Sequence, residues 1–300
     1  MEEKHMNNLI NTTSYEFMNA VRRKKTNNII STVNEAILVP EDISKEFYSE
    51  MEKNSFFRKY GTVFKAPKFE GTINTLTSDA IAEWIDECTL YPEISDDHSN
   101  MSVKAHKLAA LVKLKNVFVD DMKFDIQKYF CREFAKAFCR AEEKAFISGN
   151  GMNEPKGVIT ADANVTTETE GEITTDDIIK LFFSLEAEYR KNGVFIVNDD
   201  TALKLRMLKD KSGRYIWDEN HDTIFGKPVL ISAYMPNAES GNKAVAFGDL
   251  SYYWIVERQP LAIKVLTEKF AREDATGYAG SERLDGKLIR EDAIKLLGVK

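Results

Sequence analysis

Residues 121–148, DMKFDIQKYFCREFAKAFCRAEEKAFIS, with 149–159, GNGMNEPKGVI, behind them, decide how the chain is read. Ile126, Phe130, Phe134 and Phe138 recur every fourth residue, and Ala141, Ala145 and Phe146 prolong the stripe. At 3.6 residues per turn such spacing gathers the apolar groups on one face of a helix. The rise of 1.5 Å per residue makes that helix about 40 Å long. Asp120 or Asp121 is expected to cap its start and Gly149 its end, with Glu142-Glu143 on a solvated face. Taken alone, the stripe fits a core helix of any α/β protein. The glycine-rich stretch follows this helix instead of preceding one, so it offers no helix N-terminus to a phosphate and reads as a chain-reversing turn.

Downstream, Ile178, Ile179, Phe182, Phe183, Leu185 and Tyr189 predict a helix over 176–191. Gly193 then introduces a buried strand, Val194-Phe195-Ile196-Val197, and Asn198 or Asp199 caps a helix through Leu203, Leu205 and Leu208. Further strands are expected at 228–231, 243–247, 252–256 and 262–266, and 282–297 is strand-like. Upstream, Val103–Val119 reads as a strand. Residues 62–104 hold strand-like runs, Thr62-Val63-Phe64 and Ile81-Ala82-Glu83-Trp84-Ile85, broken by Gly61, Pro67, Gly71 and Pro92, which predicts an extended hairpin standing off the body. Ile43, Phe47 and Met51 predict a helix within 42–59. Residues 1–43 read as an arm with a short helix over Tyr15–Arg23 and a basic cluster, Arg22-Arg23-Lys24-Lys25.

Composition narrows the function classes. The 300 residues are 43% hydrophobic and 30% charged, which supports a sizeable core and excludes disorder. A net charge of −7 argues against a chain whose main task is gripping nucleic acid. Cys88, Cys131 and Cys139 are too few for a disulfide framework and fit a reducing compartment. No apolar run approaches the roughly 20 residues that cross a bilayer, so no membrane partner is expected. His5, His98, His106 and His221 are scattered, with no metal-ligand spacing. Neither a Gly-x-Ser-x-Gly elbow nor a phosphate-binding Gly-x4-Gly-Lys pattern occurs. The acidic pairs Asp120-Asp121 and Asp199-Asp200 read as helix-start dipole partners. The sequence thus offers no catalytic, metal or cofactor residue. It is rich instead in appendages whose apolar residues, Ile29, Ile30, Ile37, Leu38, Trp84 and Ile85, call for neighbouring subunits.

In their order, Ile37-Leu38-Val39-Pro40-Glu41-Asp42-Ile43, Trp84-Ile85-Asp86-Glu87, Pro92-Glu93-Ile94-Ser95-Asp96, and Gly149-Asn150-Gly151 through Pro155-Lys156-Gly157-Val158 resemble the major capsid proteins of tailed bacteriophages. Gly226-Lys227-Pro228-Val229, Met235-Pro236, Phe247-Gly248-Asp249 and Arg290-Glu291-Asp292-Ala293 extend the resemblance from about Tyr15 to the C-terminus.

The resemblance implies an α+β chain of the HK-ninety-seven-type capsid fold. Its parts would be an N-terminal arm (1–43), a first piece of peripheral domain (44–61), an extended β-hairpin loop (62–104), a peripheral domain (105–172) with the spine helix at 121–148, an axial domain (173–265), and a return to the peripheral domain (266–300). It further implies hexamers and pentamers closing into an icosahedral shell around double-stranded DNA, with scaffolding and portal proteins as partners. The virion is then the location, assembled in the bacterial host cytoplasm. Trp84, Glu87, Pro92 and Glu93 are expected to rest on an adjacent subunit, and Arg22, Arg23, Lys24 and Lys25 to meet an acidic neighbour or, non-specifically, packaged DNA. Only a short lead precedes the arm, so scaffolding falls to a separate protein, or the chain is processed or truncated. Some members weld their shells through a loop lysine and an asparagine. Here Cys88 holds the lysine's place and the counterparts fall near Asp274 and Ser281, so no such cross-link is expected. Two alternatives stay open at this level: an encapsulin-like nanocompartment shell, and a cytoplasmic α/β enzyme using one of the acidic pairs.

Overall fold

In the computed structural model, residues 14–22, 32–33, 36–66, 71–76, 98–120, 125–209, 212–218 and 221–300 are described. The first part of the chain forms α1 (Ser14–Val21), β1 (Thr32–Val33), β2 (Ala36–Leu38), α2 (Glu41–Asn54), α3 (Phe56–Tyr60), β3 (Thr62–Lys65), β4 (Gly71–Leu76) and β5 (His98–Val103). Then come β6 (His106–Lys115), α4 (Asn116–Asp120), α5 (Ile126–Ser148), β7 (Val165–Thr166), α6 (Thr175–Ser184), α7 (Ala187–Arg190), β8 (Val194–Val197) and α8 (Asp199–Met207). The remaining strands are β9 (Trp217–Asp218), β10 (Thr223–Ile224), β11 (Lys227–Ile231), β12 (Lys243–Gly248), β13 (Tyr253–Leu266), β14 (Ala275–Leu288) and β15 (Ile294–Gly298).

Three sheets result. The first runs β1-β2-β13-β14-β6, with β3 parallel to β13 at Trp254–Glu257. Its period-two alternation shows in β6, where Leu108, Ala110, Val112 and Leu114 turn inward while Lys107, Ala109, Leu111, Lys113 and Lys115 are exposed. The inward face lies on α2 and α5, burying Phe47, Met51, Phe130, Phe134 and Phe138 against Leu261, Ile263 and Tyr278. A Cβ on Gly280 would stand 2.8 Å from the Phe134 ring, so this glycine lets β14 approach the helix.

The second sheet has the order β7-β15-β12-β8-β11-β10-β9. All four residues of β8 are buried, because both faces of this sheet are covered. Phe195 and Val197 face a core with Ile178, Leu181 and Leu205 of α6 and α8. Val194 and Ile196 face a core with Phe57, Phe146 and Tyr253, which joins this sheet to the first. Phe195 stacks on Phe247 at 4.3 Å between centroids, and Phe182 stacks on the same ring at 5.2 Å. The third sheet is β4 paired with β5 alone, from Gly71 opposite Val103 to Leu76 opposite His98.

Several boundaries differ from the sequence expectation. The long helix starts at Ile126, where the Asp125 carboxylate accepts the Lys128 N–H at 3.0 Å; neither Asp120 nor Asp121 caps it, and Asp120 ends the separate helix α4. Gly149 does sit at its C-cap, donating its N–H to Ala145 at 2.8 Å. The strand expected to reach Val119 stops at Lys115, since Asn116–Asp120 turns helical. The 42–59 helix breaks at Ser55, whose φ of −123° and ψ of 117° are extended. Thr62–Lys65 joins the first sheet's edge, so the described hairpin begins at Gly71. The strands expected at 252–256 and 262–266 are one ribbon, β13, interrupted by register shifts near Gln259. The helix expected over 176–191 ends at Ser184 and resumes as α7; the Thr174–Asp177 capping box fixes its start. Residues 282–297 split between β14 and β15 around a turn at Glu291–Ala293. The 81–85 run lies outside the described residues.

Candidate functional site: a buried ion cluster and exposed apolar surfaces

The most concentrated polar chemistry among the described residues lies where α3, α5, β13 and β14 meet. The dipeptide Phe56-Phe57 anchors α3, with the Phe57 ring 5.4 Å from Phe146 and 5.2 Å from Tyr253, and this aims Arg58 into the interior. Its guanidinium donates twice to Glu142, Nε to Oε2 at 2.8 Å and Nη2 to Oε1 at 2.6 Å, and once to Glu257, Nη1 to Oε1 at 2.6 Å. The planar fork suits this two-sided grip in a way a lysine would not. Glu282 Oε1 stands 4.0 Å from Nη2 and takes no hydrogen bond. Burial, reinforced by the Glu142 carboxylate, holds the Glu282 carboxyl well above the usual carboxylate range, so it keeps its proton. The Tyr48 ring lies 5.3 Å from the guanidinium carbon, and burial pushes its hydroxyl up as well.

All four ionisable side chains of the cluster are at most 7% exposed. The cluster therefore acts as a structural knot between elements distant in sequence. Glu142 was expected on a solvated face and is instead buried at the centre of the knot, because Arg58 supplies the charge that makes its burial tolerable. Its neighbour Glu143 accepts the Ser232 hydroxyl at 2.6 Å. The sequence signal that could have found Arg58 is its place seven residues beyond Met51, on the stripe of Ile43, Phe47 and Met51.

Cys131 and Cys139 are buried in α5, and burial pushes both thiols up to about 12. Among the described residues no three His, Cys, Asp or Glu side chains come together to hold a metal ion, and no helix is long and apolar enough to cross a membrane.

Of the residues assigned to subunit contact, Arg22 is described. It donates from Nη1 to the Val119 carbonyl at 2.8 Å, which ties α1 to the end of α4. Arg23, Lys24, Lys25, Trp84, Glu87, Pro92 and Glu93 lie outside the described residues. What it does show is large apolar side chains left in solvent. Phe183 of α6 is 65% exposed, Leu203 and Met207 of α8 are 62% and 67% exposed, and Val117 of α4 is 70% exposed. Several such groups on one body mark surfaces for other proteins.

The sequence profile of the phage capsid family matches residues 35–299. Among curated proteins the chain is similar to the major capsid protein of Escherichia phage T5, with 23% identity over 218 residues that cover 66% of this chain and 47% of that protein. The chain thus spans about half the length of the curated relative it matches. Among solved structures it is similar to the capsid of an empty GTA particle, at 30% identity and a TM-score of 0.70 over 82% of this chain and 90% of that one. It is also similar to the capsid of a native GTA particle, at 27% identity and a TM-score of 0.67 over 91% and 95% of the two chains. The chain belongs to the phage capsid family and has its HK-ninety-seven-type α+β fold.

Proposed function

We propose that this chain is a major capsid protein, a structural subunit that self-assembles as hexamers and pentamers into the icosahedral head shell enclosing phage double-stranded DNA. The observation that carries the reading is the family match over residues 35–299. The exposed Phe183, Leu203 and Met207 agree with it, since apolar groups on a lone subunit become buried once copies close around a symmetry axis. In such a container many weak contacts add up.

In this reading residues 1–43 are an arm, 62–104 an extended loop, 44–61, 105–172 and 266–300 a peripheral domain, and 173–265 an axial domain. The subunit is a structural protein without enzymatic activity. Scaffolding and portal proteins are its assembly partners, DNA touches it non-specifically, assembly takes place in the host cytoplasm, and the product resides in the virion. A net charge of −7 suits a wall that holds DNA without clinging to it. Trp84, Glu87, Pro92 and Glu93 rest on the adjacent subunit, and Arg23, Lys24 and Lys25 meet an acidic neighbour or DNA.

Electron microscopy of the purified chain tests the reading. Closed shells are expected, and Trp84→Ala should impair their formation while leaving the subunit folded. A chain that stays monomeric under every assembly condition would overturn the function, whereas normal shells from the Trp84 variant would remove that residue's role alone.

A further inference from the structure

A cleft of about 440 Å³ opens where the end of α3 meets the turn into β8 and the start of β11, and its size falls among small-molecule sites of about 300–1,000 Å³. Lys59, Lys191 and Lys227 line it, each from a different segment. Lys59 is exposed on α3, where Phe57 and Arg58 turn inward, and its ammonium lies 5.3 Å from the centre of the Tyr60 ring, which also lines the cleft. Lys191 stands at the C-cap of α7. The turn that follows it has to be tight: a Cβ on Gly193 would stand 2.8 Å from the Phe247 ring, so only glycine lets this turn pack there. Lys227 follows Gly226, whose φ of 73° is left-handed. Its Nζ donates to the Lys191 carbonyl at 2.7 Å, which holds the two segments together.

The lining is unbalanced in charge. Among the described residues one carboxylate lines the cleft, Asp249, which is 4% exposed and accepts the Ser251 N–H at 2.9 Å. None of the three lysines forms an ion pair among the described residues, whereas Lys53, Lys113, Lys156 and Lys180 each meet a glutamate. Like charges gathered around one recess focus their field into it and draw counter-ions. This happens in a chain whose net charge is −7. No arginine lines the cleft among the described residues, so the planar fork that grips carboxylates in pairs is missing. Lysine ammoniums act instead as point charges suited to phosphate oxygens.

We propose that this cleft binds an oligophosphate, a chain of two or three linked phosphates either free or borne by a nucleotide, with Lys59, Lys191 and Lys227 meeting its oxygens. Three cations from three segments match several linked negative charges better than a single phosphate. The bound anion bridges α3 to the turn before β8 and to β11. Every lining side chain belongs to one chain, so the site stands independently of the shell reading.

Titration calorimetry of the full-length chain with sodium tripolyphosphate tests the site. One tripolyphosphate per chain is expected, with a melting temperature that climbs with its concentration and an affinity that falls as salt screens the lysines. K59Q/K191Q alters exposed side chains and should melt like the parent without ligand, yet bind about tenfold more weakly or worse, because two charge-assisted contacts are lost. Lys59→Gln alone, with a smaller loss, serves should the double variant fold poorly. K136Q/K269Q removes the same charge from exposed positions outside the cleft and should bind like the parent. Adenosine triphosphate names the source: affinity equal to or above that of tripolyphosphate assigns nucleotide-borne phosphate, and weaker binding assigns the free chain. No binding of tripolyphosphate by the parent, unchanged affinity in K59Q/K191Q and in Lys59→Gln, or an equal loss in K136Q/K269Q would overturn the proposal. A short DNA duplex that binds through Lys59 and Lys191 and is not displaced by tripolyphosphate would overturn it too and assign the lysines to nucleic acid.

Discussion

At the scale of single residues, the knot around Arg58 sets a pH dependence. Glu282 is held protonated by burial and by Glu142, so the folded chain binds a proton that the unfolded chain releases near the ordinary glutamate value of 4.5. For a carboxyl raised in this way, its share of stability is complete below that value and is lost as pH rises towards the folded value. Glu282→Gln, neutral at every pH, should raise the melting temperature by a few degrees above neutral pH, and the gain should vanish in acid near pH 4.5. Melting curves across pH check this; a gain independent of pH would place the cause in packing. Apart from the place of Arg58 on the Ile43, Phe47 and Met51 stripe, nothing nearby announces the knot, because its partners lie 84 and 199 residues further along the chain. Cationic residues in short helices read as surface, and only tertiary contact reverses that.

Among elements, the long helix and β14 depend on each other at one point. Gly280 has no room for a Cβ against the Phe134 ring. Gly280→Ala should destabilise the chain by about 1–3 kcal/mol through overpacking, and much of that cost should disappear beside Phe134→Leu, which opens the site. Chemical denaturation of the two single variants and the double measures the coupling. The helix itself was plain in the sequence from the recurrence of Ile126, Phe130, Phe134 and Phe138, as was the buried strand at 194–197 with Asn198 as the next cap. Its start was not, since Asp120, Asp121 and Asp125 are chemically equal candidates and only the fold selects Asp125 as the cap. Neither was the continuity of β13, where two strands were expected at 252–256 and 262–266 and the ribbon joins them through register shifts around Gln259.

For the molecule as a whole, the two large sheets share a core. Phe57, Phe146 and Tyr253 share one core with Val194 and Ile196 of the second sheet and with Ile255 and Leu284 of the first. A subunit freed from any shell should therefore unfold in one transition, with calorimetric and van't Hoff enthalpies in agreement; two separate transitions would show that each sheet folds alone. The family resemblance and the layered α+β plan were legible from the order of motifs. The exposure of Phe183, Leu203 and Met207 was not legible, because exposure is a property of the closed fold.

The strand β15 follows every other strand of the second sheet in sequence, yet it lies inside that sheet, between β7 and β12, with Leu296 and Leu297 buried on opposite faces. The ribosome delivers it after the other strands of this sheet, so the sheet stays open until residues 294–298 emerge and its closure waits on a pairing of high sequence separation. Timing is thereby built into the topology: a nascent chain reaches its assembly-ready shape only when the residues beyond Ile294 have emerged, and one released early lacks an inner strand.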